Sequence, residues 1–166
     1  MNIELNILDW FQTLHTPVLD KVMVFITSLG NAGIIWIVMT IVFLLIPKMR
    51  KTGAVMAAAL IIDLLLCNVI LKNLVARTRP YDVNTGVRLL VSRLHDYSFP
   101  SGHTAAAFAS VTALYLAGEK KLWKPVLVLA CLIGISRLYL YVHYPTDVLG
   151  GALAGAISEY LGYRFI

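Results

Sequence analysis

Residues 53–71 read GAVMAAALIIDLLLCNVIL and run directly into Lys72-Asn73-Leu74-Val75-Ala76-Arg77-Thr78-Arg79-Pro80. The apolar part carries a single charge, Asp63. A stretch of this length and composition predicts a helix across a bilayer, which takes ~20 residues. Working outward, residues 34–46 (closed by Pro47), 103–117, 126–142 and 147–162 read the same way. Residues 17–29 form a shorter apolar run interrupted by Asp20 and Lys21. Of the 166 residues, 59% are hydrophobic and only 14% are charged, against ~25% charged in an average soluble domain. Mean hydropathy is +0.78. These values exclude a disordered chain and an ordinary soluble globule. Six spans use ~120 residues, so residues 1–166 are expected to form a single domain. The fold class expected is all-α, an integral membrane bundle of six transmembrane helices. Residues 1–15 place Ile3, Ile7, Trp10, Phe11 and Leu14 at helical spacing with no Lys or Arg. That predicts an N-terminal amphipathic helix in the membrane interface rather than a signal peptide. Cys67 and Cys131 lie in apolar runs without metal-ligand spacing, so both are expected to be free thiols.

The net charge of +5 is read by position, not as a nucleic-acid signature. Lys48, Arg50 and Lys51 follow one span, Lys120, Lys121 and Lys124 another, and Arg164 the last. With six spans and the N-terminus inside, all three clusters are cytoplasmic. The polar stretch 77–100 and the turn 143–146 then face outward. That loop carries Arg77, Arg79, Arg88 and Arg93 against the rule, which calls for an anionic ligand.

Three short segments hold the chemistry. In the first, Lys72 and Arg79 are seven residues apart, two helical turns, and so share a face; Pro80 then stops the helix. The second is Phe99-Pro100-Ser101-Gly102-His103, ahead of an apolar helix. Ser101 suits an N-cap, Gly102 opens the backbone, and a helix N-terminus favours phosphate. The third is Ser136-Arg137-Leu138-Tyr139-Leu140-Tyr141-Val142-His143-Tyr144-Pro145-Thr146-Asp147. An arginine at the end of a span is costly and usually functional, and a carboxylate beside a histidine fixes its tautomer. Three cations, two histidines and one carboxylate at one depth fit phosphoryl transfer. Asp63, nine residues before Lys72, is expected on the opposite helix face and not as a phosphate ligand. Glu159 is expected to be buried between helices, and Asn68 to orient Lys72. Tyr139, Tyr141 and Tyr144 read as an interfacial belt or the lining of a headgroup pocket. His95 and Asp96 read as a solvated loop face. Tyr81, Arg88 and Arg93 are candidates for a second phosphate.

Lys-x6-Arg-Pro, Pro-Ser-Gly-His and Ser-Arg-x5-His-x3-Asp, within residues 72–147, resemble the type 2 phosphatidic acid phosphatase family without a gap. Relatives there include bacterial undecaprenyl-pyrophosphate and phosphatidylglycerophosphate phosphatases and the vanadium haloperoxidases. The resemblance implies that His143 is the nucleophile forming a phosphohistidine, Asp147 its orienting carboxylate and His103 the general acid. It implies that Lys72, Arg79 and Arg137, with the Ser101 hydroxyl and the Gly102 amide, bind the phosphoryl oxygens. Neither metal nor cofactor is expected, and the acidic residues form no clustered carboxylate site. The expected partners are a membrane lipid phosphate and the bilayer, with no nucleic acid. The expected location is the plasma membrane, multi-pass, with the site on the extracytoplasmic face. Undecaprenyl pyrophosphate is the first substrate expected, followed by phosphatidylglycerophosphate and phosphatidic acid. A lipid-to-lipid phosphotransferase and a non-catalytic lipid-binding or transport protein are the rivals.

Overall fold

The computed structural model describes residues 3–164, and among them there are helices and turns but no strand. α1 (Ile3–Gln12) and α2 (Pro17–Leu29) are followed by an elbow at Asn31–Gly33 and by α3 (Ile34–Leu45). α4 (Arg50–Asp63) continues as a π-helix over Leu64–Leu71 and ends in α5 (Lys72–Val75). A one-turn helix α6 (Pro80–Val83) opens the long loop. α7 (Gly102–Leu116), α8 (Trp123–Tyr139) and α9 (Pro145–Arg164) complete the bundle.

The outer surface is largely apolar, and small residues line the buried face of α7. Val38, Ile41, Leu65, Val69, Val128, Leu132, Leu149, Leu153 and Ile157 are exposed, whereas Ala105, Ala107, Ala109, Ala113 and Ala130 are buried. A helix pair in lipid gains nothing from hiding leucines, so close backbone approach through small residues takes over. α7 and α9 meet this way. A Cβ on Gly151 would stand 2.5 Å from the Ser101 carbonyl, and one on Gly155 would collide with the Ala105 carbonyl. Gly155→Val is therefore expected to cost about 1–3 kcal/mol by overpacking, read as a lowered Tm in detergent.

By length and composition, Pro47–Val83 is apolar enough to cross a membrane, and Pro17–Leu29 with Asn31–Leu45 passes as one element bent by 45°. The sequence expectation of six spans counts α2 and α3 separately, whereas the two form this one bent element. Glu4 of α1 accepts hydrogen bonds from Arg77 and Thr146, which places α1 at the same end as the long loop. α2, 13 residues or ~20 Å, starts there too, with Asp20 accepting from the Tyr139 hydroxyl (2.5 Å). It ends beside Arg137, through Thr27. α3 continues from the elbow towards α4. The three basic clusters lie towards the opposite end, where Thr52 of α4 donates to Glu119 in the α7–α8 connection (3.0 Å).

Candidate active site

The residue before a proline avoids helical backbone. Arg79 is accordingly extended (φ −74°, ψ 151°), and α5 stops earlier, at Ala76 in the left-handed region (φ 47°). Lys72 and Arg79 therefore do not share a two-turn helix face. Lys72 leaves the last helical turn, and Arg79 swings back from an extended strap with Pro80 beginning α6. Both are buried and line one cavity of about 430 Å3 together with Gly102, His103, Arg137 and His143.

Arg79 is held on the backbone. Its Nε donates to the Asp96 carbonyl (2.9 Å) and its Nη1 to the Val142 carbonyl (2.7 Å), and Nη1 stands 3.4 Å from His143 Nε2. Arg137 donates to the Thr27 hydroxyl (2.6 Å), and its buried Nε has no protein partner among the described residues.

His143 is 2% exposed. Burial, and then the charges of Arg137 and Arg79, push its pKa down against the pull of Asp147, which favours the neutral imidazole. Its Nδ1 faces Asp147 Oδ2 at 3.6 Å, outside hydrogen-bond length. Asp147 itself is fixed by three donors. The Ser98 hydroxyl (2.5 Å) and the Tyr144 amide (2.9 Å) reach Oδ2, and Arg77 reaches Oδ1 (2.6 Å). Arg77 also donates to Glu4 (2.5 Å) and lies 3.9 Å from the centre of the Tyr144 ring.

Ser101 is at the N-cap of α7 but makes no side-chain cap. Its hydroxyl accepts from Thr104 (3.0 Å) and is fully buried, while its amide donates to the Asp147 carbonyl (3.0 Å). It joins the second segment to the third rather than lining the cavity. Gly102 makes room for Asn68, whose Oδ1 would stand 2.8 Å from a Cβ there.

Asp63 reverses its expected place. It lines the same cavity as Asn68 and Lys72, because the intervening residues 64–71 are π-helical. A π-helix turns less per residue than an α-helix, so eight such residues bring Asp63 round towards the face of Lys72. Glu159 is buried as expected.

Asp96 also departs from its expected role. Its carboxylate pairs with Lys72 through Oδ2 and with Arg79 through Oδ1 (2.6 Å), taking up two of the three cations expected to bind phosphate. Although partial burial opposes ionisation, these two cations hold its pKa at about 2. The tyrosines are neither belt nor headgroup pocket. Tyr139, Tyr141 and Tyr144 are buried, and the first two donate to Asp20 and Asp9 (2.7 Å for Tyr141), tying α2 and α1 to the site. Tyr81 spends its hydroxyl on the Leu94 backbone, and Arg93 pairs with Asp82 (3.0 Å). Arg88 is exposed. The residues missed from sequence are Asp96, Arg77, Ser98 and Thr27. Only Arg77 left a signal there, as a charge against the topological rule.

The model of the PAP2 superfamily matches residues 52–166. An undecaprenyl-diphosphatase of Sulfolobus acidocaldarius is 32% identical over 163 residues, covering 98% of this chain and 77% of that protein. The undecaprenyl-diphosphatase BcrC of Bacillus subtilis is 34% identical over 155 residues, covering 91% and 77%. Among solved structures, Aquifex aeolicus LpxE aligns with a TM-score of 0.86 at 29% identity, covering 99% of this chain and 96% of that one.

Proposed function

The chain belongs to the PAP2 superfamily and is a membrane lipid phosphatase; from that premise we propose that it hydrolyses a lipid pyrophosphate or phosphomonoester through a phosphohistidine on His143. The observation that carries this reading is a single cavity. It holds Lys72, Arg79, Arg137, His103 and His143 at its polar end and Ile37, Leu60, Leu64 and Ala106 on its apolar walls. A phosphorylated headgroup fits the first and a hydrocarbon chain the second.

The phosphoryl group displaces Asp96 and takes the charge of Lys72, Arg79 and Arg137, with the free amides at the start of α7 adding to it. His143 Nε2 attacks phosphorus as the bond to the leaving oxygen breaks, and His103 gives that oxygen a proton. In the second half His103 takes a proton from water, whose oxygen attacks phosphorus. The N–P bond breaks and inorganic phosphate leaves. Asp147, fixed by Arg77, Ser98 and the Tyr144 amide, stabilises the positive charge that His143 acquires.

Undecaprenyl pyrophosphate is the proposed substrate, supported by the two relatives of that name. Phosphate release from purified protein, with chelator and a panel of lipid phosphates, tests it. The expected result is fastest release from the polyprenyl pyrophosphate, and a preference for phosphatidylglycerophosphate overturns the choice. In the membrane we place five passages, α2–α3 counting as one bent passage and α4–α5, α7, α8 and α9 as the rest. α1 then lies in the outer interface, and the basic clusters lie inside. In a Cys131→Ser background, Thr85→Cys is expected to react with an impermeant thiol reagent added to intact cells. Labelling only after lysis reverses the orientation.

A further inference from the structure

The α2–α3 elbow, residues 30–33, reads in sequence as a plain turn. In the structure it wraps one edge of the His103 ring. His103 Nε2 lies 3.0 Å from Asn31 Oδ1. A Cβ on Gly30 would stand 2.8 Å from His103 Cδ2. The elbow holds this position with two consecutive residues in left-handed backbone, Ala32 (φ 50°) and Gly33 (φ 67°). For Ala32 such backbone is uncommon and costly. Asn31 also lines a second cavity, of about 320 Å3, between α2 and residues 91–94, which shares His103 and Arg137 with the first.

We propose that Asn31 is a positioning residue for the proton transfer, and that Gly30 is the space that lets His103 reach it. The proposal rests on His103 being the general acid. Asn31 Oδ1 accepts the Nε2–H hydrogen bond, which fixes the ring plane and the tautomer. The elbow covers the Cδ2–Nε2 edge, so Nδ1 is the open nitrogen. In the first step the N–H bond at Nδ1 breaks, its proton goes to the leaving oxygen, and the imidazolium becomes neutral. In the second step Nδ1 recovers a proton from the attacking water. Among the described residues, Asn31 Oδ1 is the hydrogen-bond partner of the His103 ring. Its charged and titratable neighbours are Arg137, His143, Lys72 and Arg79.

The test compares a short-chain phosphatidic acid, whose alkoxide needs protonation, with para-nitrophenyl phosphate, whose leaving oxygen does not. Asn31 is exposed at the cavity mouth, so its substitution leaves the core packing alone. Asn31→Leu is expected to lose on the order of 10-fold more rate on the lipid than on the aryl ester, a size typical of losing a histidine-orienting partner. Asn31→Asp keeps an acceptor oxygen and is expected to recover most of the difference. Gly30→Ala, which pushes on the ring from the same side, is expected to repeat the Asn31→Leu pattern. Equal losses on both esters in Asn31→Leu and Gly30→Ala, or no loss, overturn the proposal. If His103→Ala itself fails to separate the two esters, the general-acid reading falls first and takes the proposal with it.

Discussion

Replacing His143 with alanine is expected to abolish turnover of every lipid phosphate, by roughly 10⁴–10⁶-fold, the scale seen when a covalent nucleophile is removed. The reason is geometric. His143 Nε2 is the ring nitrogen beside Arg79, while Nδ1 is turned towards Asp147. His103, the other histidine lining the cavity, has its Nε2 engaged by Asn31. The variant should still bind inorganic vanadate, because Lys72, Arg79 and Arg137 remain. Residual hydrolysis within tenfold of wild type would show that another group attacks phosphorus.

The second large effect separates leaving groups. His103→Ala is expected to slow alkyl phosphates by about 10²–10⁴-fold, the usual worth of general acid catalysis, and aryl phosphates much less. Steady-state rates on matched alkyl and aryl esters measure it. Equal losses on both would leave His103 a binding residue. Phosphoenzyme formed from an aryl ester should survive in His103→Ala and be absent in His143→Ala, so one trapping experiment distinguishes the two roles.

The helices were legible because the apolar runs and their breaks at Gly30–Gly33, Pro47 and Pro80 are strong local signals. The join between α2 and α3 was not. α2 looks like a separate short span in sequence, and its tertiary contacts, Asp20 with Tyr139 and Thr27 with Arg137, hold it beside the end of α8. That Lys72, Arg79, His103, Arg137 and His143 share one cavity was legible from three segments whose residue types have few other uses together near a membrane. Ser101 was misread in part. A serine ahead of a helix suggests a cap, yet its hydroxyl is taken by Thr104 and its amide by Asp147. Asp63 was misplaced because a π-helical stretch has no signature in residues 64–71, and 100° per residue is the wrong turn there. Asp96 was invisible for a different reason. A carboxylate in a polar loop looks solvated until the loop folds it onto Lys72 and Arg79, 24 and 17 residues away. Long-range ion pairs of this kind are properties of the fold, not of any window of sequence.

Covalent catalysis at His143 is the central claim, and stereochemistry at phosphorus tests it most directly. An alkyl phosphorothioate made chiral with oxygen isotopes is hydrolysed in isotopically labelled water, and the configuration of the released thiophosphate is determined. Two in-line displacements, first by His143 and then by water, predict overall retention. Inversion would mean a single direct attack by water, and would contradict the phosphohistidine account whatever the fate of the individual variants.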